Sequence, residues 1–367
     1  MHYTGDRIYK VKSNLRPGEP NAVSLQDIID HEYKPQLIFL TTKVFAPKFW
    51  DFHFRTYKHA KKIIMYHGYK DEVLRLPDGA ILFSTSGHPI LHSKLMLIEY
   101  PDILRVVVTS ANFNLPDWSI LGQNVWICDF EKKLDEIPKS QFHIDLEDHL
   151  VSIFSLFEQH KELTPIKKLI LRNLNSHELT VPSYVHLACV HPNPKIEPAL
   201  HKIRSLLSVY QGNEVMFGFS SFNTLKDGLI DDILDATRST HITLMFPSRK
   251  YVDNAEEGEA MAQYALCPYT GSFNNNKVFL AEPYLYPALP KQEMVSHAKV
   301  MTVTHRGEVV MVYAGSANLS RGAWGSLKNT ECFQYELGVI LLNHKEDLSL
   351  YFDTETPLYD ADNMWKE

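Results

Sequence analysis

Short apolar runs punctuate the first 130 residues, at 37–42 (LIFLTT), 62–68, 80–85, 94–100, 104–112 and 124–130. Each has the length of a strand and is rich in Val, Ile or aromatic residues. Several are continuous rather than alternating, the pattern of strands covered on both faces. The period then changes. Leu146, Leu150, Ile153, Phe154 and Phe157 recur at spacings of three and four, one face of a helix, with Asp145 and Glu147 expected near its start. A second helical stretch, PIKKLILRNL, ends near Asn175, and Ser24 with Asp27 has the spacing of a helix N-cap. Strand-like runs resume at 184–190, 214–221, 241–248, 299–305, 309–318 and 335–341. The same mixture on both sides of residue 177 predicts an α/β chain of two similar halves, 1–176 and 177–367, each a mixed sheet flanked by helices. The stretch 249–296 follows neither period and carries AEEGE, NNN and Pro283, Pro287 and Pro290. It reads as a long irregular loop, and it leads into His297 as the rim of a site.

A length of 367 residues suits two domains or one large one, and 44% apolar with 22% charged residues are the proportions of a globular protein. No run of eighteen apolar residues occurs, so no membrane span is expected. The opening MHYTGDRIYK lacks the basic-then-apolar pattern of a secretory leader. Cys128, Cys189, Cys267 and Cys332 are scattered, which points to reduced thiols inside a cell rather than a disulfide framework or zinc knuckle. A net charge of −7 argues against a broad nucleic-acid coat, though not against a local basic groove.

One pattern is written twice. His92 and Lys94 are followed by Asn112 in TSAN, and His297 and Lys299 by Asn318 in GSAN. The intervals from His to Asn differ by one residue. Alternation along a strand puts His and Lys on one face, and a hairpin returns the Asn beside them. Lys supplies charge and donors, and Asn supplies an amide. Two such sets meeting at one place form a cradle for a phosphodiester, with a histidine on either side in line for displacement. One can attack phosphorus and the other can protonate the leaving oxygen.

The doubled HxK…N pattern resembles the phospholipase D superfamily, and more narrowly the eukaryotic tyrosyl-DNA phosphodiesterases that cleave 3′-phosphotyrosyl links. The superfamily signature HxKxxxxD is incomplete here: Glu99 stands five residues after Lys94 and Thr304 five after Lys299. The narrower group also lacks that Asp and uses a later Asn, as Asn112 and Asn318 do. SANFNLPDW…GQNVW (110–126), MFGFSSFNTL (216–225), LMFPS (244–248), SANLSRGAWG (316–325) and YELGV (335–339) are similar to segments of that family. Two features depart from it. The 367 residues are fewer than the family's usual catalytic region, so regulation through that family's long N-terminal tail is not expected, and His88 stands nearest the place of an aromatic residue that precedes the first His on the DNA side.

The resemblance implies two pseudo-symmetric phospholipase D-like halves and a metal-independent DNA-repair phosphodiesterase needing no cofactor. His92 would attack, forming a phosphohistidine with the 3′ end, and His297 would protonate the tyrosine and later activate water. Lys94, Asn112, Lys299 and Asn318 would hold the non-bridging oxygens. Gln123 and Glu336 would support the histidines, either residue with either histidine. Ser220, Ser221, Ser320 and Arg321 would contact DNA phosphates. The implied partners are single-stranded or 3′-end DNA and a topoisomerase-derived tyrosyl peptide as leaving group, with a monomer acting in the nucleus. The alternative is a nuclease or phospholipase of the same superfamily. A metal hydrolase is disfavoured because the carboxylates do not cluster with the histidines along the chain.

Overall fold

The computed structural model describes residues 2–343 except 13–17, 19–20, 30–32, 134, 136, 193–196, 223–227, 248, 256, 269–284, 289–293 and 329–331. The apolar runs become inner strands of two mixed sheets. The first half supplies β1 (Thr4–Val11), β2 (Ala22–Val23), β3 (Leu37–Thr42), β4 (Lys61–His67), β5 (Glu72–Arg75), β6 (Ile81–Thr85), β7 (Ile90–Leu91), β8 (Leu95–Glu99), β9 (Ile103–Thr109) and β10 (Asn124–Glu131). The second supplies β11 (Val185–Val190), β12 (Asn213–Gly218), β13 (Ser221–Phe222), β14 (Ser239–Pro247), β15 (Cys267–Pro268), β16 (Leu285–Ala288), β17 (Lys299–His305), β18 (Glu308–Gly315) and β19 (Gln334–Leu342).

The sheets correspond strand for strand. One runs β1-β10-β9-β8-β3-β4-β6, extended by β2 and β5 at its edges, and the other runs β11-β19-β18-β17-β12-β14-β16. The hairpins β8–β9 and β17–β18 are antiparallel, and each is followed by an antiparallel partner, β10 or β19. On the far side, β3 pairs β4 and β12 pairs β14 in parallel. The two sheets also touch through β7, which pairs β19 in parallel rather than joining its own sheet.

Helices complete the layers. They are α1 (Leu25–Ile29), α2 (Pro47–Phe54), α3 (Leu115–Ser119), α4 (Gln141–Ser155), α5 (Leu163–Asn175), α6 (Ala199–Leu206), α7 (Leu229–Thr237), α8 (Arg249–Asn254), α9 (Gly258–Ala265) and α10 (Arg321–Trp324). Strand alternation decides what each face meets. On β8, Met96 and Ile98 pack with α1, α2 and α3 on the outside, while Leu95 and Leu97 join a core that α4 and α5 fill. That inner core also takes Val300, Val339 and Leu341 from the second sheet, whose outer face packs on α6, α7 and α10. The halves therefore share an inner core, and each has an outer core besides.

Two expectations need correction. The helix expected to begin near Asp145 and Glu147 begins a turn earlier, because Ser140 caps it by accepting a hydrogen bond from the His143 amide (3.1 Å). The two carboxylates then lie inside the helix, where they pair with Lys202 and Lys139. The stretch 249–296 is not an irregular loop throughout. Residues 249–254 and 258–265 are helical, and Pro287 sits in β16, while NNN, Pro283 and Pro290 lie outside the described residues. Small residues explain α9: Ala262 and Ala265 let it sit close against its neighbours. Ser24 and Asp27 do cap α1, each side chain bonding the other's amide at 3.1 and 2.8 Å.

One buried ion pair ties the N-terminal edge to the first sheet. Arg105 on β9 donates to both carboxylate oxygens of Asp129 on β10, at 2.7 and 2.8 Å, and to the carbonyl of Ile28 at 2.6 Å. Asp129 also accepts from the Tyr3 amide (3.0 Å). Replacing Asp129 with Ala leaves the Arg105 charge buried without its partner, and the expected loss of stability is about 3–5 kcal/mol by urea denaturation.

Candidate active site

The two copies of the motif meet where the sheets touch, and each half builds its copy in the same way. His92 and Lys94 lie immediately before β8, and His297 and Lys299 lie at the start of β17. Each lysine turns back to its own histidine: Lys94 Nζ donates to the His92 carbonyl (2.7 Å) and Lys299 Nζ to the His297 carbonyl (2.5 Å). The hairpin brings each Asn to the end of the next strand. A tryptophan six residues on then locks it: Trp118 Nε1 donates to the Asn112 carbonyl and Trp324 Nε1 to that of Asn318, both at 2.9 Å. Both tryptophans are buried in the core.

The side chains of the asparagines are aimed by backbone amides. Asn112 Oδ1 accepts from Val44 N (3.3 Å), just after β3. Asn318 Oδ1 accepts from Ser220 N (3.2 Å) and Ser221 N (3.1 Å), just after β12. With the oxygens so engaged, each amide NH₂ is left to face outward as a donor. One step of this wiring uses different chemistry in the two halves. Ala111 N donates to Thr109 Oγ1 (3.1 Å), whereas Ala317 N donates to Tyr313 Oη (3.2 Å). Tyr313 reaches because Gly338, opposite Gly315, has no side chain; a Cβ there would lie 2.1 Å from the Tyr313 ring.

The histidines are supported across the seam. His92 Nδ1 lies 2.8 Å from Glu336 Oε2 on β19, and Ser316 Oγ donates to the same oxygen at 2.5 Å. His297 Nδ1 lies 2.8 Å from Gln123 Nε2, just before β10, and Ser110 Oγ donates to Gln123 Oε1 at 2.6 Å. The backbone does the same: His92 N donates to the Tyr335 carbonyl (3.0 Å) and His297 N to that of Gly122 (2.8 Å). Each half thus supplies one histidine and the support for the other. Both rings are engaged at Nδ1, which leaves Nε2 for chemistry.

Sequence reasoning left the pairing open and missed Asp117. Its Oδ1 is 3.1 Å from His297 Nδ1 and also accepts from Gln123 Nε2 and from Asn112 N (3.1 Å). A second carboxylate therefore joins the expected Glu336, and each histidine faces one, although among the described residues no cluster that could hold a metal forms. The available signal was local. Asn114 caps α3 by accepting from Asp117 N (3.0 Å), so an Asn-x-x-Asp directly after the motif places a carboxylate in the first turn beside it. The corresponding residue of the second half is Ala323, whose amide donates to the cap Ser320. Lys43 was missed as well. It is exposed, precedes the amide that holds Asn112, and its charge acts on His92, Lys94, Lys299 and Glu336.

Proton affinities follow from burial and crowded charge. Burial pushes Lys94 down to about 7, against the pull of Glu336. Burial and Lys94 hold Lys299 well below its ordinary range. Burial pushes Glu336 up to about 7. Burial, then the lysines, hold His92 well below the usual histidine range, and burial with Lys299 brings His297 down to about 4 despite Asp117. Burial would raise Asp117, but the His297 and Asn112 bonds outweigh it and keep it ionised.

Of the residues expected to contact DNA, Ser220 is buried and donates through Oγ to Asn318 Oδ1 (3.2 Å), Ser221 is half-buried, and Ser320 is a helix cap. Arg321 pairs with Asp232 on α7 and donates to the Gly325 carbonyl (2.8 Å). All four surround Asn318, but through bonds within the protein.

Such a cluster of buried lysines invites an oxyanion. An anion between them favours their charged forms, so binding takes up protons above the pKa of the free group, and affinity falls as pH rises through about 7, the value for Lys94. Sulfate does not titrate in this range. It should raise the melting temperature more at about pH 6.5 than at about pH 8.5, beyond the general effect of a kosmotropic salt, and Lys94→Met should remove that extra, pH-dependent part.

Comparison with known proteins agrees with the doubled motif. The tyrosyl-DNA phosphodiesterase family model matches residues 10–178 and 200–360. Tyrosyl-DNA phosphodiesterase 1 of Arabidopsis thaliana is 26% identical over 306 residues, covering 74% of this chain and 49% of that protein, so the chain spans about half the length of this relative. The crystal structure of the yeast tyrosyl-DNA phosphodiesterase superposes with a TM-score of 0.75 at 15% identity, covering 97% of both chains. The phosphatidylserine synthase of Haemophilus influenzae gives 0.54 at 11% identity, covering 100% of this chain and 90% of that one. These two structures speak to the fold. With the family model covering both halves and both copies of the His-Lys-Asn set, the chain belongs to the tyrosyl-DNA phosphodiesterase family of the phospholipase D superfamily.

Proposed function

We propose that this chain hydrolyses 3′-phosphotyrosyl and related adducts at DNA 3′ ends, in two steps through a phosphohistidine. The observation that carries the reading is the cross-seam support: both histidines are held at Nδ1 beside a carboxylate, with two buried lysines alongside. His92, with its Nδ1–H donated to Glu336, presents a lone pair on Nε2 to phosphorus. Its low proton affinity keeps it neutral, as a nucleophile must be. Lys94, Lys299 and the amides of Asn112 and Asn318 take up the charge that grows on the non-bridging oxygens. His297 protonates the departing phenolate oxygen from Nε2, while Asp117 steadies the imidazolium through Nδ1. The substrate's negative charge offsets Lys299 and Lys94, the cations that depress His297, and so restores its ability to carry that proton. In the second step His297 takes a proton from water, which displaces DNA from His92.

The four basic and two amide side chains of the two motif copies supply charge and proton transfer without a metal, so activity should survive excess chelator. Lys43 and Ser221 are suitably disposed to meet substrate phosphates on either side of the seam. We place such an activity in the nucleus, acting as a monomer on single-stranded or frayed 3′ ends. The decisive assay is cleavage of a 3′-phosphotyrosyl single-stranded oligonucleotide; cleavage of phospholipids or of unmodified DNA in preference to it points to the other superfamily activities.

His92→Ala should reduce turnover by several orders of magnitude and form no adduct. His297→Ala should retain part of the first step, because a phenol of pKa about 10 leaves readily, and should accumulate an acid-labile protein–DNA adduct visible as a shifted band. Adduct in the first variant and not in the second reverses the roles. Glu336→Gln keeps an acceptor for Nδ1–H but loses the charge; a hydrogen bond to a charged group is worth about 1.5–3 kcal/mol, so kcat should fall roughly 10- to 100-fold in single-turnover kinetics.

A further inference from the structure

We infer that Tyr264 is a positioning residue for the second histidine, acting through Asp117. Tyr264 lies on α9, within the stretch 249–296 that the sequence marked as the rim of the site. The small residues Ala262 and Ala265 bury one side of that helix and leave Tyr264 directed at α3, its ring partly open to solvent. Its hydroxyl sits between two groups of α3. Asn114 Nδ2 donates to Tyr264 Oη at 2.8 Å, and Tyr264 Oη donates to Asp117 Oδ2 at 3.2 Å.

The direction of these bonds matters. An amide NH₂ can only donate, so it occupies a lone pair of the phenol oxygen and turns the phenol proton towards the carboxylate. Burial and the Asp117 charge raise the phenol's pKa, so the proton stays on oxygen. Asp117 is then held at both ends. Oδ2 is fixed by Tyr264, and Oδ1 is left for His297, Gln123 and the Asn112 amide. Asn114 also caps α3 through its other amide atom, so one Asn aligns both the helix that carries Asp117 and the phenol that clamps it.

This clamp has an electrostatic consequence. A donor on Oδ2 draws carboxylate charge away from Oδ1 and weakens the pull of Asp117 on the His297 proton. The other groups that face His297 are Gln123 and the cations Lys299 and Lys94, with His92 across the seam. Burial, Lys299 and Lys94 lower the proton affinity of His297 and Asp117 raises it; the Gln123 amide donates to Nδ1 and favours the neutral ring, and a Tyr264 bond that weakens Asp117 acts in the same direction. Removing the phenol hydroxyl should therefore raise the His297 pKa.

The inference rests on His297 being the acid–base group of the proposed reaction, but its test does not. Histidines labelled with carbon-13 can be titrated by NMR in the substrate-free protein, with His297 assigned from the signal missing in His297→Gln. Tyr264→Phe keeps the ring and should shift the His297 titration upward by roughly half a unit to one unit, the size of change expected from one hydrogen bond to a charged group. Placing 3,5-difluorotyrosine at position 264 strengthens the donor and should shift the titration downward. Opposite shifts from two near-isosteric changes are not what loss of packing produces. An unchanged His297 titration in both proteins overturns the inference, as does a shift of the same sign in both. If the wild-type protein cleaves 3′-phosphotyrosyl DNA, the pH dependence of adduct breakdown should move in the same directions. If it does not cleave that substrate, the proposed function fails while the titration still decides the role of Tyr264.

Discussion

Every functional side chain at the seam depends on one exchange: the ring of each histidine is steadied by a residue that belongs to the other half. The exchange is enforced by backbone before any side chain is considered. β7 adds to β19, and Gly122 bridges Ser296, so the strands carrying Glu336 and the segment carrying Gln123 are pinned beside the histidines they serve. The shared core follows from the same constraint. Sheets that must meet at this seam cannot each bury their inner faces separately, and α4 and α5 fill the space between them.

The symmetry is kept in geometry and broken in chemistry. Lysine-to-carbonyl, tryptophan-to-carbonyl and serine-to-support bonds recur in both halves with nearly equal lengths. Yet the support is a carboxylate for His92 and an amide for His297, and Asp117 occurs where the other half has Ala323. These departures give two equivalent places unequal surroundings, which suits the unequal tasks proposed for the two histidines. They also carry a cost. Burying two lysines side by side disfavours their charged forms, and full compensation comes only when a negatively charged group joins them. A fold that prepares for its ligand in this way gives up some stability to do so.

The two His-Lys-Asn sets were legible because their spacing is a local property of a hairpin. The strand runs were legible where burial on both faces makes them continuous, as in β3. What escaped notice had physical reasons. β1 mixes exposed and buried positions irregularly around a register shift with β10, so TGDRIYKV shows no clean alternation. The helices α8 and α9 span six and eight residues, too few to show a clear helical period, and α9 buries Gly258, Ala262 and Ala265 rather than large residues. The partners of the histidines were visible as candidates but not as pairs, because Glu336 lies 244 positions from His92 and Gln123 lies 174 from His297. Separations of that size are set by topology, and no local pattern encodes them. Asp117 was hidden for a different reason: it serves a histidine of the opposite half while obeying the capping rules of its own helix.

The exchange across the seam also bears on how the chain comes into being. A ribosome delivers His92 long before Glu336, and the first half can fold its hairpin, its Asn112 lock and its Lys94 turn while the strand that will orient the His92 ring has yet to be made. During that interval the imidazole has no carboxylate to fix its tautomer, and the cradle for phosphate has only one wall. The late strand β19 acts as a keystone, since its arrival supplies Glu336 and the carbonyl that receives the His92 amide in a single pairing step. A nascent or half-unfolded chain lacks the assembled site, and the activity proposed for it belongs only to the finished protein.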